Sequence, residues 1–292
     1  MISPRAFVDK LWQRSPGAVI ELPEELQKSF EAAGHSELEA IVMVERMLPR
    51  VKTLLSGKIL YYERKNVTPN FRFSETSPYR LVGAQVSEKD EQIRLKLPYK
   101  KELHSFIDSI NWERFENLCV LTLQLCGFKK YAVGKRRQDG GLDFFGLCPI
   151  HNLLGYRGFL TAMNLRIFGQ AKQHKRSSVS GDEVRIFYTH YEEFLNGKGA
   201  AWEFIRSNHD WFLEAKGPLA PMAITNHRFA KGAEDYADYK KIILREGMQI
   251  VEDIMRLAKT EIWLEHKEGK YGFAPNKFES YLDELGGGNF SF

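Results

Sequence analysis

The chain has 292 residues, with 42 basic and 38 acidic side chains, a formal charge of +4, 43% hydrophobic residues and 13% aromatic residues. That length accommodates roughly two domains at about 150 residues each, and the apolar content excludes a disordered tail. No run approaches the roughly 18–20 continuous apolar residues of a membrane span, and the opening MISPRAFVDKLWQRSPG lacks the apolar core of a secretion signal. The expectation is a cytoplasmic protein with no membrane association. An odd cysteine count (Cys119, Cys126, Cys148) argues against a disulfide framework and fits a reducing compartment. A charge of +4 permits a polyanionic partner without requiring one.

The first hundred residues read as helices followed by strands. Glu24–Ala33 and Glu37–Leu55 carry apolar residues at helical spacing, from Leu38, Ile41 and Val42 to Val51, Leu54 and Leu55, with Pro49 expected to kink or interrupt the second helix. Strand-like runs follow at Ile59–Glu63, Tyr79–Gln85 and Gln92–Leu97, the last with Ile93, Leu95 and Leu97 alternating, and Gly83–Asp90 reads as a hairpin region. Residues 1–100 thus form a small α+β domain for sensing, DNA reading or oligomerisation, with no legible chemistry. The polar PYKKE at Pro98–Glu102 marks its boundary.

Beyond it Asn111 caps a helix over Trp112–Cys126, stopped by Gly127. Cys119 and Cys126, seven apart, share one face of it and are expected to be buried. Strands are predicted at Lys130–Gly134, Leu142–Leu147 and Leu165–Ala171. Ser180 and Glu183 form a capping box for a helix with Val184, Phe187, Tyr188, Tyr191, Phe194 and Leu195 on its apolar face. Leu219–Thr225 and Lys241–Leu244 read as strands, and Phe229–Tyr239 and Met248–Ala258 as helices. Strands alternating with helices favour an α/β sheet covered on both faces. A β-like Ile262–Glu265 and a helix near Phe278–Leu285 close the chain.

Several chemistries lack their signatures. There is no CxxC, HExxH or GxSxG, and the dipeptides Gly57-Lys58 and Gly197-Lys198 lack the first glycine and the Ser/Thr of a phosphate-binding loop. Three oddities remain. Glu116 falls within the apolar stripe of its helix, where a carboxylate is costly to bury unless paired or bound to a cation. Asp143 stands one residue into an apolar strand after the turn Asp139-Gly140-Gly141, where Asp is disfavoured. Gln170 and Lys172 share one face of a strand with Arg166 and Phe168. Taken singly, these read as an edge carboxylate, a hairpin turn and a half-exposed strand. Together, two carboxylates, a polar ligand and a lysine are what metal-assisted phosphodiester hydrolysis needs. The carboxylates hold a hard cation that polarises the phosphoryl group, and the lysine offsets developing charge.

The stretches NWERFENLCVLTLQLCGF, RQDGGLDFF and LRIFGQAKQHKRSSVSGDEVR resemble the Mrr-like restriction endonuclease family, a branch of the PD-(D/E)xK nuclease superfamily. PLAPMAITNHRFAKGAEDYADYKKIILREGMQIVEDI fits that family's second half, so the resemblance covers roughly residues 104–258. It implies a restriction-endonuclease-like core, a mixed central sheet flanked by helices, over residues 101–260, with a C-terminal extension over 261–292. It further implies an endonuclease that cuts DNA with Mg²⁺, Mn²⁺ being able to substitute, in restriction or anti-phage defence. Glu116, Asp143 and Gln170 match the metal-binding positions and Lys172 the catalytic lysine, all four belonging to the catalytic set. Asp139 and its glycines match the turn.

The spacing from Asp143 to Gln170, 170 − 143 = 27 positions, is longer than the family's usual, with His151–Asn164 reading as an inserted loop. Lys198–Lys216 is a second insertion, whose Trp202, Phe204, Trp211 and Phe212 read as core or oligomer contacts more readily than as base-stacking rings. Lys135, Arg136, Arg137, Lys175 and Arg176 cluster in sequence near the site and are expected to meet DNA phosphates. One site cuts one strand, so a homodimer or higher oligomer is expected, alongside partner proteins of a defence system. Two other readings stay open: a catalytically degenerate nucleic-acid-binding subunit, and an RNase or structure-specific nuclease on the same fold.

Overall fold

The computed structural model describes residues 3–13, 19–65, 67–134, 141–150, 163–175, 177–267 and 270–287. It separates into two compact units, Met1–Leu95 and Lys96–Phe292. Among the described residues no helix is long and apolar enough to cross a membrane.

In the first unit α1 (Pro4–Trp12) begins where Ser3 accepts the N–H of Ala6. Strand β1 (Val19–Glu21) leads into α2 (Leu22–Glu31) and then α3 (Glu37–Arg64), which opens on a Ser36–Glu39 capping box. Strands β2 (Phe71–Phe73) and β3 (Arg80–Gly83) join β1 in an antiparallel sheet of order β1-β3-β2. Phe7, Trp12, Leu26, Phe30, Val51 and Phe71 anchor its core.

Two predicted strands here are helical. Ile59–Glu63 continues α3 because Val51, Leu55 and Ile59 recur every four residues on the buried stripe. Pro49 leaves α3 a single continuous helix. Leu38, Ile41, Val42 and Leu54 lie off that stripe and are exposed. Of Gln92–Leu97, the residues up to Lys96 belong to α4 (Glu88–Lys96) and Leu97 opens the 3₁₀ turn that follows, so Gly83–Asp90 is no hairpin. Ile93 and Leu97, four apart, are buried, whereas Leu95 between them is 38% exposed, the reverse of what a strand requires. Ser87 accepts the N–H of Asp90 at its start, and Glu88, Asp90 and Glu91 favour that end of the helix dipole. The PYKKE segment is likewise structured: a 3₁₀ turn over Leu97–Tyr99 runs into α5 (Lys100–Ser109).

The second unit is built on a five-stranded sheet. After α6 (Trp112–Leu125) come β4 (Lys130–Val133), β5 (Phe144–Pro149) and β6 (Asn164–Lys172). Helix α7 (Gly181–Leu195), α8 (Gly199–Asn208) and α9 (Asp210–Glu214) precede β7 (Leu219–Thr225). Then follow α10 (Lys231–Lys240), β8 (Ile243–Arg245) and α11 (Gly247–Leu257). The order is β4-β5-β6-β7-β8, antiparallel through β6 and parallel from β6 to β8. A hairpin of β9 (Leu264–Lys267) and β10 (Lys270–Phe273) and a closing helix α12 (Pro275–Gly287) complete the unit. Arg114 of α6 pairs with Asp283 and Glu279 of α12.

Both faces of β6 are covered, so Ile167 and Phe168 are equally buried. The half-exposed strand allowed by the alternation is therefore not found. Phe168 packs on Phe187 and Phe194 of α7, while Gly146 on the neighbouring strand lies against Leu123 of α6. Phe144 and Gly169 pair across β5 and β6; a methyl at Gly169 would sit 2.2 Å from the Phe144 ring. The aromatics of the second insertion pack into the core: Phe212 is fully buried, and Phe145 stacks on Trp211 at 5.7 Å. Leu195, placed on the apolar face of its helix by spacing, is exposed at its last residue, as is Cys126 beyond the end of α6, so only Cys119 of that cysteine pair is buried.

Candidate active site

Strand direction brings the singled-out residues to one edge of the sheet. Because β5 runs antiparallel to β6, the head of β5 lies beside the tail of β6. Asp143 immediately precedes β5. Its N–H donates to Gly169 C=O (3.0 Å), its C=O accepts from Gly134 N–H (2.8 Å), and its Oδ2 accepts from Ala171 N–H (2.8 Å). The carboxylate is thus bound to the residue between Gln170 and Lys172. Burial raises the Asp143 carboxyl to about 6, against the opposing pull of the Ala171 N–H and the Lys172 charge.

Gln170 is 5% exposed, and its Nε2 donates to Gly141 C=O (3.2 Å). Its Oε1 is buried with no hydrogen-bond partner among the described residues. Gly141 has φ +79°, and a Cβ there would lie 2.3 Å from Nδ1 of His190, so the turn ahead of Asp143 requires glycine twice over. Asp139 and Gly140 of that turn lie outside the described residues.

Glu116 on α6 is buried at 8% exposure, which removes the edge-carboxylate reading. It does not stand alone: burial pushes the Cys119 thiol well up, and the charges of Asp143 and Glu116 add to it, so both carboxylates neighbour the same sulfur. Lys172, half-buried at the end of β6, pairs in register with Thr225 of β7. Across from it stands Glu183 of α7. Burial works to raise that carboxyl, but hydrogen bonds from Ser180 and the charges of His174 and Lys172 outweigh it and hold it below its ordinary value. His174 Nε2 lies 3.1 Å from Glu183 Oε1.

Glu183, His174 and His190 were missed by sequence reasoning. The spacing of Glu183 from Ser180 discloses only its helix cap, which it also forms. Lys175 is exposed on the segment leaving β6, whereas Lys135, Arg136, Arg137 and Arg176 lie outside the described residues. Residues 151–162 of the first inserted loop do too, but their anchors, Pro149 paired with Asn164, sit at the end of the sheet opposite Asp143 and Lys172.

Among the described residues no three His, Cys, Asp or Glu side chains gather as a metal site. The oxygen donors available are the carboxylates of Asp143 and Glu116 and the orphaned amide oxygen of Gln170, a set that fits a hard divalent cation.

A mixed sheet with Asp at the head of one strand and Gln-x-Lys at the tail of its antiparallel neighbour defines a restriction-endonuclease-like core. Residues 107–208 match the Mrr_cat family model, described as restriction endonuclease. No curated protein matches the chain. Similar solved structures include the MspJI restriction endonuclease in complex with a 27-mer oligonucleotide (17% identity, TM-score 0.38, covering 71% of this chain and 40% of that one). Another is the DNA modification-dependent restriction endonuclease AspBHI (16% identity, TM-score 0.39, covering 73% and 46%). The chain therefore spans less than half the length of either.

Proposed function

We propose that the chain is a divalent-metal-dependent endonuclease hydrolysing phosphodiester bonds of DNA, acting in restriction or anti-phage defence and working as a homodimer or higher oligomer on duplex substrate. The observation that carries this reading is the bond from Ala171 N–H to Asp143 Oδ2, which ties a buried carboxylate to the strand bearing Gln170 and Lys172.

Asp143, Glu116 and the Gln170 amide oxygen would hold the metal, Mg²⁺ or Mn²⁺, through oxygen alone. When bound, the cation supplies Lewis-acid stabilisation of the phosphoryl charge. Lys172 projects an ammonium at the same edge, where it would neutralise charge developing on the scissile phosphate and orient the attacking water. Glu183 faces Lys172 across the same edge. Gly141 C=O fixes the Gln170 amide so that Nε2 is spent on the backbone and Oε1 is left as the donor.

The test is incubation of the full chain with supercoiled plasmid in Mg²⁺ and in EDTA, alongside Asp143→Ala and Lys172→Ala. Metal-dependent nicking or linearisation lost in both variants is the expected result. Cleavage undiminished in both would overturn the site, and plasmid retardation without cleavage by the wild type would favour a binding subunit.

A further inference from the structure

A second set of polar side chains converges beside Lys172. Since β6 and β7 are parallel, with Lys172 opposite Thr225, the chain leaving β7 turns away at the same edge as the candidate site. Asn226, almost wholly buried, clamps the two segments. Its Oδ1 accepts His174 N–H (2.8 Å), and its Nδ2 donates to His174 C=O (2.9 Å) and to Asp108 Oδ1 (3.2 Å) on α5. Beside this clamp opens a cleft of about 340 Å³, walled by His104, Asp108, Asn226, His227, Arg228 and Met248. That volume lies within the range of small-ligand sites.

The two carboxylates facing the cleft are already engaged. Asp108 is held by Asn226 and by His104 Nδ1 at 3.3 Å. Glu246 accepts the N–H of Phe229 (3.0 Å) and caps α11. What remains is donor capacity. The exposed Arg228 guanidinium has no ion pair among the described residues. His227 lines the same cleft, and its Nδ1 is buried without a hydrogen-bond partner among the described residues, a state that costs free energy unless the ring turns to meet a ligand. A free guanidinium, an unsatisfied imidazole nitrogen and a thioether wall suit a phosphodiester with a sugar attached.

We propose that this cleft seats the nucleotide adjoining the scissile phosphate on the DNA strand being cut, with its phosphate on Arg228 and His227 and its sugar against Met248. The proposal rests on the nuclease reading above. Phosphate contacts set the register of a strand without reading its sequence. The Asn226 clamp fixes the distance between this seat and Lys172, so the cleft decides which phosphate lies at the metal-binding edge.

The experiment measures duplex binding by fluorescence anisotropy with the full chain carrying Asp143→Asn, which keeps the DNA intact. The probes are a duplex spanning a mapped cut and copies bearing one uncharged methylphosphonate at each position up to three from it. Adding Arg228→Ala is expected to weaken binding about tenfold and to reduce the magnitude of the salt slope by about 0.9, the loss of one phosphate contact. One methylphosphonate beside the cut weakens binding by the protein that retains Arg228 and leaves binding by the Arg228→Ala variant unaffected. Arg228→Lys, which keeps the point charge, retains the salt slope. Unchanged affinity and salt slope in Arg228→Ala, with the same methylphosphonate penalties as its parent, overturn the proposal. If wild type then still cuts duplex, the subsite alone is lost; if wild type cuts no DNA in Mg²⁺ or Mn²⁺, the nuclease reading falls and takes the subsite with it.

Discussion

Asp143→Asn separates stability from chemistry at the site. Burial raises the Asp143 carboxyl from its ordinary 3.8 to about 6 in the metal-free fold. Below pH 3.8 the residue is protonated in both the folded and unfolded chain and costs nothing. As pH rises the unfolded chain ionises first, and the penalty on the fold grows until the folded carboxyl ionises near 6, above which it is constant. At 1.36 kcal/mol per tenfold change, that plateau is on the order of 3 kcal/mol, about half of it reached by pH 5. Asparagine keeps an oxygen for the Ala171 N–H and carries no charge. In EDTA the variant should therefore resist urea better than wild type by up to about 3 kcal/mol at pH 8, with the gain vanishing toward pH 4. Added Mg²⁺ should narrow the gap at pH 8 by stabilising only the wild type. A variant less stable than wild type at pH 8 in EDTA, or one with the same gain at pH 8 and pH 4, would refute the account of a buried charge awaiting a cation.

Gln170→Ala removes the amide oxygen proposed for the metal and the bond to Gly141; the Mg²⁺ concentration giving half-maximal stabilisation against urea should rise about tenfold or more, a loss typical of one ligand or its support. An unchanged midpoint would exclude Gln170 as a donor. Gly169→Ala drives a methyl to 2.2 Å from the Phe144 ring and should destabilise by about 1–3 kcal/mol, read in the urea midpoint. Ile59→Pro should cost about 3 kcal/mol or more, since it falls inside α3 and not on a strand; a smaller loss of helical circular dichroism than one broken helix would count against the long α3.

What the sequence disclosed depended on how local each signal was. Glu116 and Asp143 stood out because a carboxylate contradicts its surroundings in an apolar stripe or strand, and both prove buried or half-buried at one edge. The Ser180–Glu183 capping box and Asn111 cap were legible because cap and first turn are contiguous. Short apolar runs were not. Ile59–Glu63 and Gln92–Leu97 fit either period over five or six residues, and only the partners they pack against decide between them. Glu183, His190 and Asn226 were invisible as site neighbours, because α7 and the loop after β7 meet β6 only through the packing of the sheet.

The topology explains how 27 positions of chain between Asp143 and Gln170 leave the edge intact. In an antiparallel pair the head of one strand faces the tail of the next whatever length of chain joins them, and loop closure grows only slowly with length. The connection between β5 and β6 is anchored at Pro149 and Asn164, at the opposite end of the hairpin. The second insertion enters the sheet at Leu219, the head of β7, which is again the end away from Lys172. Both insertions therefore leave the register of Asp143 against Ala171, and of Lys172 against Thr225, unaltered. The switch from antiparallel to parallel at β6 then does something neither pairing could do alone. It lines up a strand head bearing a carboxylate, a strand tail bearing an amide and a lysine, and a second strand tail opening on the Arg228 cleft. Moving any of these to the far edge would require reversing a strand, so lengthening the hairpin loop by further residues should leave metal-dependent stabilisation unchanged.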